Sequence, residues 1–444
     1  MNKIKLLLLI FGVLNISVSI AQTAEPTGTI EIRAKAENLT GMANSGSEGI
    51  VSGLRIAALP ILRPGEIMEM VPGLIVTQHA GDGKANQYFL RGFNLDHGTD
   101  FATYVNGVPA NMPTHAHGQG YTDLNFLIPE LVDLIAYKKG TYSAMDGDFS
   151  AAGSARLEYR KSLDGHLAEV TAGANGYKRL LLAGSPKRQD GQWLYGLEVF
   201  KNDGPWLVPE NYQKLNGVLS YSDGTRLNGY SVTGMLYKSS WISTDQVPLR
   251  AINQGLIGRF GSLDPTTGGE THRYSVSSQW AQTGKDRQTK ANFWALDSAL
   301  DLWSNFEYCT GSIEKTGNCA AGDQFKQAEK RKAFGFGLSE ARYHQLSLLN
   351  SKYESAFTFG VDGRSDHIFP VGLYKTTRRA VTETVREDAV TQSSVSLWAQ
   401  NEIRWTSTIR SIVGARADAY QFDVKSNLAA NSGKASDQKV SPKL

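Results

Sequence analysis

The chain is expected to fold as an α+β domain followed by a long antiparallel β-sheet of the transmembrane β-barrel class. Three features predict this. An apolar N-terminal segment marks the chain for export, no later run is long enough for a membrane helix, and from about residue 165 onward apolar and polar residues alternate with a period of two.

Residues 1–21 read as a signal peptide. Lys3 and Lys5 form a basic start, Leu6 to Ile20 is apolar, and Ser19-Ile20-Ala21 offers small residues for cleavage before Gln22. The alternative, an N-terminal membrane anchor, calls for a longer core. With 41% hydrophobic residues, 45 glycines and a mean hydropathy of −0.30, the exported chain is either a soluble secreted protein or an outer-membrane barrel. A net charge of +3 over 444 residues gives no basic field for nucleic acid. Cys309 and Cys319 are the two cysteines, and in an oxidising compartment they are expected to pair.

The connections separate the two exported classes. Strands read near 167–174, 177–184, 193–203, 212–222, 226–238, 272–284, 287–298, 334–344, 353–362, 391–404 and 407–422. Short links fall at 222–225, 284–286 and 405–407, and long ones at 239–271, 299–333, 363–390 and 423–438. An up-and-down membrane barrel alternates tight inner turns with long outer loops, whereas a soluble sandwich has no reason to keep that parity. Trp193, Tyr195, Tyr237, Trp241, Trp398 and Trp405 cluster toward strand ends, as an interfacial girdle requires. About eleven strands are readable and Lys439 to Leu444 starts another, so the chain reads as roughly half of a 22-stranded barrel, a fragment or truncated product.

Residues 22–165 are different: glycine-dense, with short segments of mixed type. Pro64 to Met70 reads as a short helix, Tyr88-Phe89-Leu90 and Thr103-Tyr104-Val105 as short strands, and Asn106-Gly107 as a tight turn. Leu124 to Leu134 is apolar and reads as strand or helix.

Four stretches in order carry a family likeness: Val71-Pro72-Gly73, then Phe89-Leu90-Arg91-Gly92-Phe93, then Val105-Asn106-Gly107-Val108-Pro109, then Pro129 to Ile135 with Lys138-Lys139-Gly140. On these, residues of about 50–160 resemble the plug of TonB-dependent outer-membrane receptors. The resemblance divides the chain into a flexible N-terminus at 22–48, a plug at 49–165 and the N-terminal part of the barrel at 166–444. Ala136 and Thr141 stand where the family has Glu and Pro, and Met145 to Asp148 and Ala151 to Ser154 replace its usual glycine run.

The resemblance implies energy-coupled uptake of a scarce substrate, a ferric siderophore or other metal complex, through the outer membrane of a Gram-negative cell. It implies TonB as partner, contacted through a segment near Thr29, Ile30, Glu31, Ile32 and Arg33, and outer-membrane lipid around the barrel. It places residues 110–121 on the outward face, so that His115, His117, Gln119 and Tyr121 meet ligand, with Asp96 and His97 on the neighbouring loop. Trp206 and Trp241 would supply an aromatic wall from the outer loops.

Three readings of the histidine loop stay open: imidazole coordination to a metal, hydrogen bonding to a chelate or glycan, and packing against plug or barrel. No metal-ligand set is assigned, because His-x-His lacks the third and fourth donors a site needs. His79 stands alone in the sequence and reads as structural. No cofactor is expected. There is no Gly-x-Ser-x-Gly, no His-Glu-x-x-His and no acid pair, which argues against an enzyme. A non-transporting surface receptor or adhesin on the same barrel is the alternative function.

Overall fold

The computed structural model describes residues 42–186, 190–243, 245–310, 322–348 and 351–444. The signal peptide and the 29–33 segment lie outside the described residues. The first domain runs β1 (Met42–Ser45), β2 (Glu48–Ser52), α1 (Gly53–Ala57), a 3-10 helix (Pro64–Met70), β3 (Leu74–Thr77), β4 (Gln87–Leu90), β5 (Phe93–Asn94), β6 (Phe101–Val105), β7 (Val108–Pro109), a 3-10 turn (Pro129–Leu131), β8 (Val132–Lys139) and β9 (Gly153–Tyr159). Structure therefore begins earlier than expected, since residues 42–48, read as flexible, form β1 and start β2.

These strands build a six-stranded sheet in the order β1-β2-β8-β9-β6-β7, parallel only at β6–β9, and a small sheet β3-β4-β5. Asn106 and Gly107 have φ of +45° and +78°, the left-handed pair that a two-residue hairpin turn requires. Ile67, Leu124, Leu127, Ile128, Leu131, Ile135 and Leu157 are buried completely and form the centre of the domain.

The remainder is one antiparallel meander of twelve strands paired in chain order. It comprises β10 (His166–Ala172), β11 (Lys178–Gly184), β12 (Gln192–Asn202), β13 (Tyr212–Gly224), β14 (Gly229–Ile242), β15 (Gly268–Thr283), β16 (Arg287–Ser304), β17 (Phe325–Leu348), β18 (Ser351–Thr377), β19 (Ala380–Arg404), β20 (Arg410–Ser426) and β21 (Gly433–Lys443). β10 and β21 are the two edges of this open sheet.

The burial pattern is that of a membrane sheet turned apolar side out. Leu219, Val276 and Leu397 are about half exposed on the convex face, while Asn216, Ser277, Arg331, Asp366 and Asp418 are buried on the concave one. Lipid accepts the first set; of the second, Asn216 and Arg331 reach plug carbonyls, while Asp366 and Asp418 are paired with arginines of the sheet itself. Trp193, Tyr221 and Tyr230 form a chain of ring contacts near the short-link end. Tyr237, Trp241 and Trp398, expected in a lipid-facing girdle, are instead buried. Trp398 donates its indole N–H to Asp362 at 2.9 Å.

Several expected long links are strands. β17, β18 and β19 have 24, 27 and 25 residues, far more than the 9–11 or so needed to cross a bilayer. The segment 363–390, read as a loop, is a hairpin turning at Arg378–Arg379, both with positive φ. Likewise 299–304 and 325–333 extend β16 and β17, and 433–438 belongs to β21. Above the lipid both faces are wet, so the apolar alternation that marks a strand vanishes, and an Arg-Arg turn carries none of the usual Asn or Gly signal.

The concave face holds the plug. Apolar contacts fasten it to β11–β16, where Leu181, Leu194, Val218, Met235, Leu296 and Leu302 join the plug core as one cluster. Polar contacts fasten it to β17–β20, as where Arg416 donates to the carbonyl of Met145 at 3.1 Å and Gln400 accepts from the N–H of Ala144 at 3.0 Å.

Val276→Lys places a charge on the lipid side near mid-strand. It should lower folding stability in lipid vesicles by about 2–4 kcal/mol, read by urea titration, because an outward ammonium cannot be hydrated there.

Candidate functional site

The loop 110–121 is held by its first and last residues. Met112 and Tyr121 bridge, with Met112 N–H donating to the Tyr121 carbonyl at 3.0 Å. Buried Asn111 joins it to the loop before β6, donating to the carbonyls of Gly98 and Phe101 (2.9 and 3.1 Å) and accepting from Thr103 N–H at 2.7 Å. Thr122 N–H donates to the His97 carbonyl at 2.7 Å, which sets the two histidine-bearing loops side by side.

A buried ion network on the barrel wall grips the loop from the other side. Arg331 donates to Glu329 (2.8 Å), Asp366 (2.6 Å) and the carbonyls of Pro113 and Thr114 (2.7 and 2.9 Å). Arg364 makes a two-pronged contact with Asp366 (2.7 and 3.0 Å) and reaches the Asn111 carbonyl at 3.1 Å. Two cations and two anions thus neutralise one another and spend their spare donors on loop backbone. None of these four residues was singled out from sequence, because Glu329 and Arg331 fell in an expected loop and Arg364 and Asp366 in another.

The predicted site residues separate into different roles. His115 stacks flat on Tyr121, with centroids 4.3 Å apart and planes 3° from parallel. Its Nδ1 accepts from His117 N–H at 3.2 Å and its Nε2 faces Glu329 at 3.6 Å, so it packs between plug and barrel. Tyr121 is buried and its hydroxyl accepts from Ala85 N–H at 3.1 Å. Gln119 is exposed and its side-chain oxygen accepts from Thr114 N–H at 2.9 Å, closing the loop on itself.

His117 turns the other way. Its Nδ1 lies 2.9 Å from Gln327 Oε1, and its Nε2 lies 3.1 Å from Nε2 of His97. His97 is buried, with Nδ1 against the carbonyls of Ala85 and Asn86 (3.1 and 3.2 Å). Asp96, exposed beside it, has Oδ1 3.8 Å from His97 Nε2. His79, isolated in sequence, joins the group: its ring is exposed and 5.1 Å from that of His97. Burial is the main cause that lowers both pKa values, that of His97 below its ordinary range and that of His117 to about 3, so both rings are neutral at pH 7.

The aromatic residues are divided too. Trp206 is half-buried, donates to Glu210 and lies 6.2 Å from Phe260. Trp241 is buried against Gly83, which has φ of +97° and where a Cβ would stand 2.2 Å from the indole. It wedges plug to barrel and presents no free face. Cys309 is disulfide-bonded, and Cys319 lies outside the described residues.

The rim above the site is tied together by two side chains. Gln324 donates to Asp264 (2.9 Å) and Thr266 (2.7 Å) and accepts from Thr376 and from Arg379 N–H, both at 2.8 Å. Arg379 donates to the carbonyls of Thr266 (2.7 Å), Trp241 and Thr267 (both 3.3 Å). Three outer connections are joined at this point.

Residues 41–154 match the family model for the TonB-dependent receptor plug domain. About nine-tenths of the chain is similar in fold to solved structures of low sequence identity. These include the copper transporter OprC (TM-score 0.64, 15% identity, 91% of this chain and 61% of that one) and the unliganded ferric citrate transporter FecA (0.67, 12%, 90% and 59%). A third is the outer membrane receptor FpvA from Pseudomonas aeruginosa bound to pyoverdine (0.63, 11%, 90% and 58%). The chain thus spans about three-fifths of the length of these structures.

Two outcomes test the site. Arg331→Met strands Glu329 and Asp366 as buried anions with only Arg364 beside them. It should cost about 3–5 kcal/mol and raise amide exchange across 110–121, measured by hydrogen–deuterium exchange. For pH, the depressed His117 value means that the folded state resists a proton that the unfolded chain takes up near 6.5. Its contribution is therefore fully present above pH 6.5 and declines as pH falls toward 3, so melting at pH 4.5 should occur below melting at pH 7.5.

Proposed function

We propose that this chain, a TonB-dependent receptor plug domain seated on an outward-apolar β-sheet, serves energy-coupled uptake of a scarce metal complex across the outer membrane. The observation that carries this is the placement of the histidine loop. It lies at the end of the sheet where the connections are long, as between Ile242 and Gly268 and between Ser304 and Phe325. The opposite end holds the plug's start, where Glu48 pairs with Arg410 next to a short connection. A domain oriented this way offers its polar apex to the outside and its N-terminus to the periplasm, where TonB can pull it.

The named neighbours favour a metal-containing cargo: one transports copper, one ferric citrate, and one is bound to pyoverdine. Loss of covalent chemistry is no obstacle, because the plug needs only to bind, shift and release. His97, His117, Asp96 and His79 form the proposed contact surface, and His115 and Tyr121 support it from behind.

Deleting residues 22–35 should abolish uptake of the metal complex while leaving binding to whole cells unchanged. Uptake that persists in the deletion strain would remove the energy coupling and favour a surface receptor that does not transport.

A further inference from the structure

The hydrogen-bond partners of His97 and His117 fix which nitrogen of each ring carries the proton. Carbonyl oxygens only accept, so His97 Nδ1, facing Ala85 and Asn86, carries its hydrogen. The Gln327 amide nitrogen donates to the Ala116 carbonyl at 2.9 Å, which turns its oxygen toward His117 and makes that Nδ1 a donor as well. In two neutral rings, both Nε2 atoms are then bare lone pairs. They face each other at 3.1 Å, and the nearest carboxylate, Asp96, adds a third acceptor at 3.8 Å from His97 Nε2. Three acceptors converge, and no donor from the described residues is directed at the two Nε2 atoms. A cation, or a water donating to one of the nitrogens, would resolve that arrangement.

The spacing selects the cation. Two nitrogens each about 2.0–2.1 Å from one tetrahedral ion stand roughly 3.3 Å apart. Each ring also donates its other N–H to an oxygen, the outer support by which metal-binding imidazoles are oriented. We propose that His97 Nε2 and His117 Nε2 are a two-nitrogen docking point for a borderline divalent ion of the zinc, copper and nickel class, with Asp96 as third ligand. Imidazole suits these ions, whereas ferric iron wrapped in oxygens leaves nothing for a bare nitrogen pair to bind. Among the described residues no cluster of three or more His, Cys, Asp or Glu is already assembled. The point is thus an open site, completed by Asp96 or His79 swinging in from the exposed mouth or by ligands the ion brings. A proton shared between the two rings is the competing occupant.

The inference rests on the uptake reading for its biological meaning but is tested separately. The full chain in detergent micelles would be titrated with copper sulfate at pH 7 and examined by electron paramagnetic resonance, and with zinc chloride by calorimetry. The expected result is one ion per chain with hyperfine splitting from two imidazole nitrogens. His117→Ala should reduce this to one nitrogen and weaken zinc binding at least about tenfold, Gln327→Leu should weaken it roughly 10–100-fold by unlocking the ring, and the surface control His344→Ala should change neither. Asp96→Asn, at an exposed side chain, lowers affinity without touching the packing, which keeps the test valid if His117→Ala folds poorly. A proton-only bridge predicts an oxygen-coordinated copper signal and no zinc heat, and either result overturns the proposal. Ferric-chelate uptake that needs residues 22–35 without any zinc or copper binding would sink this site and keep the transporter. Tight binding with uptake indifferent to that deletion would do the reverse.

Discussion

A sheet that faces lipid must wear its apolar side chains outside, and everything else in this structure follows from that inversion. Its concave surface is left with Asn216, Ser277, Arg331, Asp366 and Arg416, groups that cannot be buried without partners. The plug supplies carbonyl partners for Asn216, Arg331 and Arg416, and Asp366 is paired with Arg331 and Arg364 of the sheet itself. The seat is not uniform, however. Toward β11–β16 an apolar cluster is joined by polar contacts such as Arg179 to Glu130 and Arg273 to the Pro109 carbonyl, and toward β17–β20 it is a seam of charged and amide contacts. Water can replace the partners of the polar seam, group for group, but cannot replace apolar contact.

The ion network on that seam connects fold to site. Arg331 and Arg364 hold the carbonyls of Asn111, Pro113 and Thr114, so the loop's entry is fixed by barrel residues and not by the plug alone. With the entry fixed, His115 is pressed between Tyr121 and Glu329, and His117 is rotated toward His97. The position of the one histidine determines the direction of the other.

Much of this was legible in the sequence, for physical reasons that differ by region. Strands within the bilayer have one apolar and one polar face, and β13 to β16 show it residue by residue. Strand segments above the lipid, such as Lys326 to Lys332 of β17, lose the contrast and resemble loops. The Asn106-Gly107 turn was legible because only such residues take left-handed φ readily, and the Arg378–Arg379 turn was not, for the same reason inverted. The proximity of His115 and His117 in sequence was visible, but their opposite orientations were not. The pairing of His97 with His117, and the approach of His79, depend on loop crossings set by Asn111 and Thr122. No spacing rule encodes those.

The join made by Gln324 and Arg379 ties together outer segments that would otherwise be independent. Separate flexible flaps must each be immobilised when a guest arrives, which subtracts from affinity and slows the final fit. Here the segments around Asp264, Gln324 and Arg379 are already joined by hydrogen bonds, with Trp303 held between Lys326 and Arg379, so less ordering is left for a guest to impose.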